Sequence, residues 1–392
     1  MNYEQLTQVS ERQDRGEVFT PITLVEEMLD KLPKEVFESK TTTFLDPCFG
    51  TGAFLKAIGL RLKSAGHSSE NINSRLFGFE IDSRLFNETK RKFNGISIYK
   101  EDFLNADINM KFDVIIGNPP YQGDQSGGNK THSLWKKFIK KSTELAKCVL
   151  FVTPDTWICD DKVQRESFNK GTLKYAKLLP KNTFKQGKVS ISTSYWIWTS
   201  EVNFNNSILD LLDGTSISFN NSLKDIPTSV INPLTISIHR KFLSLPSIDT
   251  TQSPIYYAYK NKSKVNKYPI YNTTAQGLCW SDRQPIDANV SKIMFSNVGA
   301  YKCVYDSGIM GTCWHSHAFE INQEFSSNAL EYMNSKAIRF FDMINRSGGF
   351  MNGTFCKNIP IIDFSSSVDD QAVYNILGLT QEEIDYIENA VK

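Results

Sequence analysis

Along the first half of the chain, short apolar runs alternate with segments of helical period, and nearly every run stops at an acid, a glycine or a proline. Runs of this length and β-branched content predict buried strands at Thr41 to Leu45, Leu76 to Phe79, Ile96 to Tyr99, Phe112 to Ile116, Val149 to Val152 and Tyr195 to Thr199. Between them, Leu24, Val25, Met28, Leu29 and Leu32 share one helical face behind Thr20, which suits an N-cap, and Pro21, which suits the first helical position. Ala53 to Lys63 reads as a second helix, and Leu134, Trp135, Phe138 and Ile139 begin a third. Strands alternating with helices imply an α/β fold, here a Rossmann-like sheet of about seven strands. After Ser200 the pattern changes: Asn and Ser rise, helical period fades and short strand-like pieces appear. The expected domains are therefore 1–202 and 203–392, the latter of mixed α+β type. Thr380 with Glu383 forms a capping box, and Ile384, Ile387 and Val391 give a terminal amphipathic helix.

The chemistry concentrates where the strands end. The first runs into Asp46-Pro47-Cys48-Phe49-Gly50-Thr51-Gly52, and strand, glycine turn, helix opens a βαβ unit. Leu55 stands where a dinucleotide fingerprint needs its third glycine, and no Walker lysine follows, so the turn is not built for a pyrophosphate. Its leading acid suits a cationic ligand better. The second strand runs into Glu80-Ile81-Asp82 and the third into Glu101-Asp102-Phe103. Ligands bind outside the carboxyl ends of parallel strands, where one acid can take both hydroxyls of a ribose and an acid followed by an aromatic can hydrogen-bond and stack an adenine. Taken singly, each acid is equally explained as a helix N-cap.

The fourth strand ends in Asn118-Pro119-Pro120-Tyr121. Two prolines fix two φ angles and contribute carbonyls without N–H groups, so they form a stiff acceptor shelf. The Asn118 carbonyl adds an acceptor and Tyr121 a flat aromatic face, an arrangement fit to grip a planar group bearing an NH2. A proline-capped strand end with a packed tyrosine is the plainer alternative. Gln122 to Ser133, with three glycines and almost nothing apolar, reads as a mobile loop beside the shelf, either a substrate-gated lid or a plain surface loop.

Composition narrows the partners without choosing one. Lys and Arg number 44 against 43 Asp and Glu, a net charge of +1, so any basic surface must be local. The 7 Cys lack CxxC spacing, which fits reduced thiols, and no apolar run approaches a membrane span, so no membrane is expected. No signal peptide is evident, and a cytoplasmic location is expected.

Together the segments RGEVFTP, FLDPCFGTGAFL, GFEID, EDFL, DVIIGNPPYQ, FVTPDTW and FKQGKVSIST resemble the NPPY class of S-adenosylmethionine-dependent N6-adenine DNA methyltransferases, the modification enzymes of TaqI and Eco57I type, over roughly residues 15 to 200. The resemblance implies a methyltransferase sheet binding S-adenosyl-L-methionine, followed by a target-recognition domain. Phe19, Thr20 and Pro21 then match the segment closing over the cofactor's methionine end, and Asp46, Pro47, Gly50 and Gly52 the turn beneath its amino-acid part. Glu80 matches the ribose carboxylate, with Ile81 against the adenine, and Asp102 with Phe103 the adenine amine acceptor and its neighbour. Asn118, Pro119, Pro120 and Tyr121 match the target-base shelf, with Asn118 also bordering the cofactor, and Phe184 the aromatic on the base's other face. Cys48 departs from the commoner alanine. The implied reaction is methyl transfer to a flipped-out adenine in double-stranded DNA, of restriction-modification or phage type, by a monomer or weak dimer with which a cognate restriction endonuclease is compatible. Transfer to RNA adenine or a protein glutamine, and a non-catalytic nucleic-acid-binding module, are the alternatives.

In the second half the resemblance gives no guide. Tyr256 to Tyr271, YYAYKNKSKVNKYPIY, interleaves Lys260, Lys262, Lys264 and Lys267 with five tyrosines, a composition suited to a DNA groove, or to a solvated hairpin with half-buried tyrosines. Cys313, His315 and His317 are expected as strand neighbours on one face; three such residues without a fourth fall short of a metal site, and no metal is expected. Arg346 to Phe350 is a glycine turn with a candidate phosphate contact.

Overall fold

The computed structural model describes residues 20–121, 134–159, 163, 166–184, 192–202, 207–219, 223, 225–347, 350, 351 and 353–391. Among these, contacts divide the chain into two compact units, 1–222 and 223–392.

The first unit is organised on five strands that run parallel: β1 (Phe44–Asp46), β2 (Leu76–Phe79), β3 (Ser97–Tyr99), β4 (Phe112–Gly117) and β5 (Ala146–Pro154). The helices are α1 (Ile22–Asp30), α2 (Glu35–Glu38), α3 (Ala53–Ser64), α4 (Ser69–Asn73), α5 (Ser83–Lys92) and α6 (Leu134–Leu145). The sheet continues through β6 (Thr172–Leu179) and β7 (Thr193–Thr199), the latter antiparallel to both β5 and β6, and then through β8 (Ser207–Asp210) and β9 (Ser216–Phe219). Among the described residues the order is β3-β2-β1-β4-β5-β7-β6-β8-β9. The fold is thus the expected α/β sheet, with nine strands where about seven were read.

The two extra strands also carry the first unit past residue 202, where the composition change suggested a boundary. β8 pairs with β6 and buries Ser207 and Leu209. Four-residue pieces on a sheet edge are too short to show a period, which is why their polar content read as a second domain.

One sheet face is filled by Phe44, Leu76, Val114, Ile116, Leu150, Val152 and Ile197 with the apolar sides of α1 and α3. The predicted face of α1 is buried as read, but the helix begins one residue late: Pro21 is the cap residue, and its carbonyl accepts from Leu24 and Val25. Thr20 does not cap. Arg61 of α3 ties α1 down by ion pairs to Glu26 at 2.6 Å and Asp30 at 2.7 Å.

The second unit holds a three-stranded antiparallel sheet, β13 (Cys303–Asp306), β12 (Lys292–Ser296) and β14 (Ser316–Glu320), and the pair β10 (Tyr268–Tyr271) and β11 (Leu278–Ser281). Helices α7 (Pro233–Leu243), α8 (Ser326–Asn334), α9 (Lys336–Ile344), α10 (Gly353–Lys357), α11 (Asp370–Ile376) and α12 (Gln381–Ala390), with the short pair β15 (Arg346–Ser347) and β16 (Phe350–Met351), complete it. Its core includes Phe242, Phe295, Phe319, Tyr332, Phe341 and Ile387. The capping box of Thr380 and Glu383 is formed, and Glu383 also takes Lys241 at 2.6 Å. No helix among the described residues is long and apolar enough to cross a membrane.

Gly52 caps α3 at φ +83°, and a Cβ there would stand 2.6 Å from the Phe93 ring. Gly52→Ala is expected to lose about 1 to 3 kcal/mol of stability from the left-handed backbone and this clash. Urea unfolding of the two proteins measures it; equal midpoints would show that the turn tolerates a side chain.

Candidate active site

The sheet order reverses between β1 and β4, and in open α/β sheets ligands bind outside the strand ends at such a point. β1 ends on Asp46 and β4 delivers Asn118, and the strands are close enough that a Cβ on Gly117 would meet Asp46 Oδ1 at 3.0 Å. Glycine there is a condition of bringing the acid and the shelf together.

Asp46 is 1 % exposed, and its Oδ1 accepts from the Cys48 N–H at 3.1 Å. Burial, with the Glu80 charge adding to it, pushes its pKa up to about 8. Glu80 is also buried, accepting from the Gly50 N–H at 2.9 Å through Oε2 and from the Asp82 N–H at 2.8 Å through Oε1. Burial raises its pKa, against the pull of those two N–H groups. Each carboxylate oxygen has a further lone pair, so the glycine turn is stitched to Glu80 without exhausting it as an acceptor. Thr89 steadies the same turn by donating to the Gly50 carbonyl at 3.0 Å. Asp82, by contrast, is an N-cap, accepting from Arg84 and Leu85 at the start of α5.

Asp102 closes the turn after β3: Oδ1 accepts from the Leu104 N–H at 2.9 Å and Oδ2 from Asn105 Nδ2 at 2.6 Å. Lys141 braces this turn, donating to the carbonyls of Leu104 at 3.2 Å and Ala106 at 2.7 Å, with its ammonium 5.1 Å from the Phe103 ring centre. Phe103 itself is buried, its ring packed against Phe79 and Phe138. The aromatic after the acid pins the turn from inside. The exposed side chain at this rim is Ile81, 69 % accessible after Glu80.

The shelf has the features its sequence suggests and two that sequence could not give. Asn118 Nδ2 donates to Thr20 Oγ1 at 3.2 Å, and the Cys48 thiol donates to the Asn118 carbonyl at 3.4 Å. The Asn118 amide is therefore oriented by its nitrogen, and its Oδ1 is buried with no hydrogen-bond partner among the described residues. The Tyr121 hydroxyl is likewise buried and unpartnered, and burial raises its pKa. Pro119 is buried and Pro120 exposed. Unsatisfied buried acceptors cost free energy, so a buried amide oxygen held in this way is suited to a donor that arrives with a ligand.

Other expected positions separate from this cluster. Phe184 is 7 % exposed within the apolar cluster on the sheet, so stacking on a base requires its ring to leave that packing. Phe19 and the loop 122–133 lie outside the described residues. Thr20 and Pro21 sit at the start of α1, Thr20 by its bond to Asn118. Thr20, Cys48, Asn105 and Lys141 were not assigned these contacts from sequence; the partners of Thr20, Cys48 and Lys141 lie 35 to 98 positions away, beyond a local pattern, while Asn105 meets Asp102 three positions back.

In the second unit, Lys262 stands 5.1 Å over the Trp280 ring and Lys267 5.2 Å over Tyr268. Cys313 and His315 precede β14 rather than alternating along it, and both turn to Asn272 Oδ1, at 3.3 Å and 3.0 Å. His317 stacks on Phe295 instead. Arg346 is bound to Asp342 at 2.6 Å, which competes with the phosphate contact suggested for it.

The fold is that of an α/β protein with two buried acids, Asp46 and Glu80, at its strand ends and the Asn118 amide beside them. Residues 48–189 match the family model described as Eco57I restriction-modification methylase, which bears out the resemblance carried by the motifs over that stretch. The chain is 37 % identical over 111 residues to the type II methyltransferase M.CvrRI of Paramecium bursaria Chlorella virus XZ-6E, covering 28 % of this chain and 26 % of the relative. It is 32 % identical over 127 residues to the type II methyltransferase M.VspI of Vibrio sp. (strain 343), covering 30 % and 28 %. These alignments thus span about a quarter of the relatives' length. Among solved structures, the type I restriction-modification system methyltransferase subunit from Streptococcus thermophilus superposes with a TM-score of 0.38 at 18 % identity, covering 54 % of this chain and 52 % of that one.

The raised acid of Asp46 has a consequence for stability. Between about pH 4 and pH 8 the folded protein holds a proton on Asp46 that the unfolded chain has lost, so stability is full below this window and falls as pH rises through it. Urea unfolding at pH 5 and pH 8 should show the loss in the wild type and a smaller one in Asp46→Asn, Glu80 supplying the remainder. Equal losses in both proteins would mean that Asp46 is ionised without cost.

Proposed function

We propose that this protein is a site-specific DNA adenine-N6 methyltransferase of restriction-modification type, using S-adenosyl-L-methionine. The observation that carries the reading is Asn118 Oδ1: a buried amide oxygen, oriented through Thr20 and without a partner among the described residues, at the end of the strand next to the one that ends in Asp46. The donor set fits the cofactor. Glu80 offers free lone pairs to a ribose, Asp102 to an adenine amine, and Asp46 and Glu80 together favour the positive charges of the amino-acid and sulfonium groups. When bound, S-adenosylmethionine supplies a methyl group already activated for displacement.

The chain's own part is to make an adenine amine nucleophilic and hold it in line. The amine's lone pair is delocalised into the ring, and hydrogen bonds donated by the NH2 to Asn118 Oδ1 and the Pro119 carbonyl favour a pyramidal nitrogen whose lone pair is free to attack. Asn118 Oδ1 and the Pro119 carbonyl would hold that nitrogen facing the methyl group the cofactor would supply, and the proton lost on transfer would pass to solvent. Positioning supplies most of the acceleration. In a duplex the adenine must first leave the stack at a cost of a few kcal/mol, which stacking on Tyr121 helps offset. The second unit is the target-recognition domain in this reading, with Lys260, Lys262, Lys264 and Lys267 on the phosphates.

Asn118→Ala should abolish methyl transfer to DNA while leaving cofactor affinity nearly unchanged, whereas Glu80→Ala and Asp102→Ala should each weaken the cofactor by about 1 to 3 kcal/mol. Calorimetry and labelled-methyl transfer on the same preparations separate the two effects; full activity in Asn118→Ala would sink the shelf. Changing the four lysines to alanine should lower affinity for all DNA sequences and flatten its salt dependence without altering the preferred site. Filter binding across a salt series reads this, and an unchanged slope would place the DNA elsewhere.

A further inference from the structure

A soluble surface rarely presents two large aromatic rings side by side, and the second unit does so at Tyr256 and Trp314. Their ring centres are 4.8 Å apart at an interplanar angle of 30°, yet Tyr256 is 59 % exposed and Trp314 48 % exposed. The stack is rigidly mounted. The Trp314 N–H donates to the Ile255 carbonyl at 2.9 Å, and its carbonyl accepts from Gln252 Nε2 at 2.8 Å and from Asn297 Nδ2 at 3.1 Å. Two segments, at 252–255 and at Asn297, therefore hold the backbone of Trp314, so little further order is needed when a flat ligand settles on it.

The surroundings select the ligand. The irregular segment that carries Tyr256 continues through Tyr259, which exchanges backbone hydrogen bonds with Trp280 at 2.9 Å and 2.8 Å, and then into the lysines. Lys260, Lys262, Lys264 and Lys267 follow within the stretch 256–271, which contains no acid. Lys262 lies over the face of Trp280. Exposed aromatic faces next to a run of cations with no counter-charge match a polyanion that bears flat apolar groups, which describes nucleic acid better than it does an acidic protein surface.

We propose that Tyr256 and Trp314 form a stacking platform for an unstacked nucleobase of DNA, with the neighbouring lysines holding the phosphates that flank it. The platform rests on the reading of the second unit as the DNA-binding part, and adds that this part grips a base by its face as well as the backbone by its charge. Because bases inside a duplex have both faces covered, the platform favours single-stranded or locally opened DNA.

The test compares the full chain with Trp314→Ala, Trp314→Phe and Tyr256→Ala, on an oligothymidylate and on an abasic oligonucleotide of equal length. Trp314→Ala should bind oligothymidylate about tenfold more weakly than the wild type, with the abasic strand unaffected, because one stacked base is lost. Trp314→Phe should recover most of the affinity, and wild-type indole fluorescence should quench on binding oligothymidylate, less so in Trp314→Phe. Equal affinity of the wild type and Trp314→Ala for oligothymidylate overturns the platform, as does an equal loss on the abasic strand, which would mean a change in charge or folding. Wild type that binds both strands with a steep salt dependence, beside an inert Trp314→Ala, would leave DNA binding standing and remove only the platform. Binding of neither strand by the wild type would remove both.

Discussion

Everything at this site follows from placing two carboxyl groups, Asp46 and Glu80, out of water with only backbone N–H groups to meet them. No lysine, arginine or histidine pairs with either among the described residues. Burial without a cation raises both acids toward their neutral forms, an arrangement that costs stability at neutral pH. The cost makes sense if a positively charged ligand completes the cleft. A salt bridge in its place would make a more stable and less receptive protein.

The shelf is built on the same economy of partners. Thr20 takes the Asn118 amide by its nitrogen, the Cys48 thiol reaches the Asn118 carbonyl, and neither touches Oδ1. The side chain that would close over a cofactor and the one that would receive a target amine are thus joined by one hydrogen bond. Loss of the Thr20 hydroxyl would free the amide to rotate, so the orientation of Asn118 depends on a contact that spans 98 positions of sequence. Cys48, the departure from the commoner alanine, fits into this arrangement as a weak donor, and burial holds its thiol well away from ionisation.

Much of the first unit was legible because its information is local. A buried parallel strand is a short apolar run, and its end is marked by the acid or glycine that turns the chain, so β1 to β5 and the residues Asp46, Glu80, Asp102 and Asn118 could be read together. What was not legible was tertiary. Phe103 packs against Phe79 and Phe138, and Phe184 lies in the core cluster, contacts that their local sequence does not announce. Nothing in a ten-residue window distinguishes an aromatic that faces a ligand from one that faces its own protein. Thr20 looked like an N-cap because threonine suits that position and Pro21 the one after it, but the hydroxyl meets Asn118 instead. The edge strands β8 and β9 were invisible for a different reason: they are four residues long, and only pairing, of β8 with β6 and of β9 with β8, makes them strands. In the second unit the tyrosine and lysine tract was noticed by composition alone, and the partner that gives it shape, Trp314, lies more than forty residues away.

The reading of this chain as an adenine methyltransferase turns on one product. Double-stranded DNA incubated with the full chain and methyl-labelled S-adenosylmethionine, then digested to nucleosides, should carry the label on N6-methyladenine, with RNA and protein offered in parallel remaining unlabelled. Label on a cytosine, or on RNA or a glutamine side chain in preference to DNA, would contradict the account.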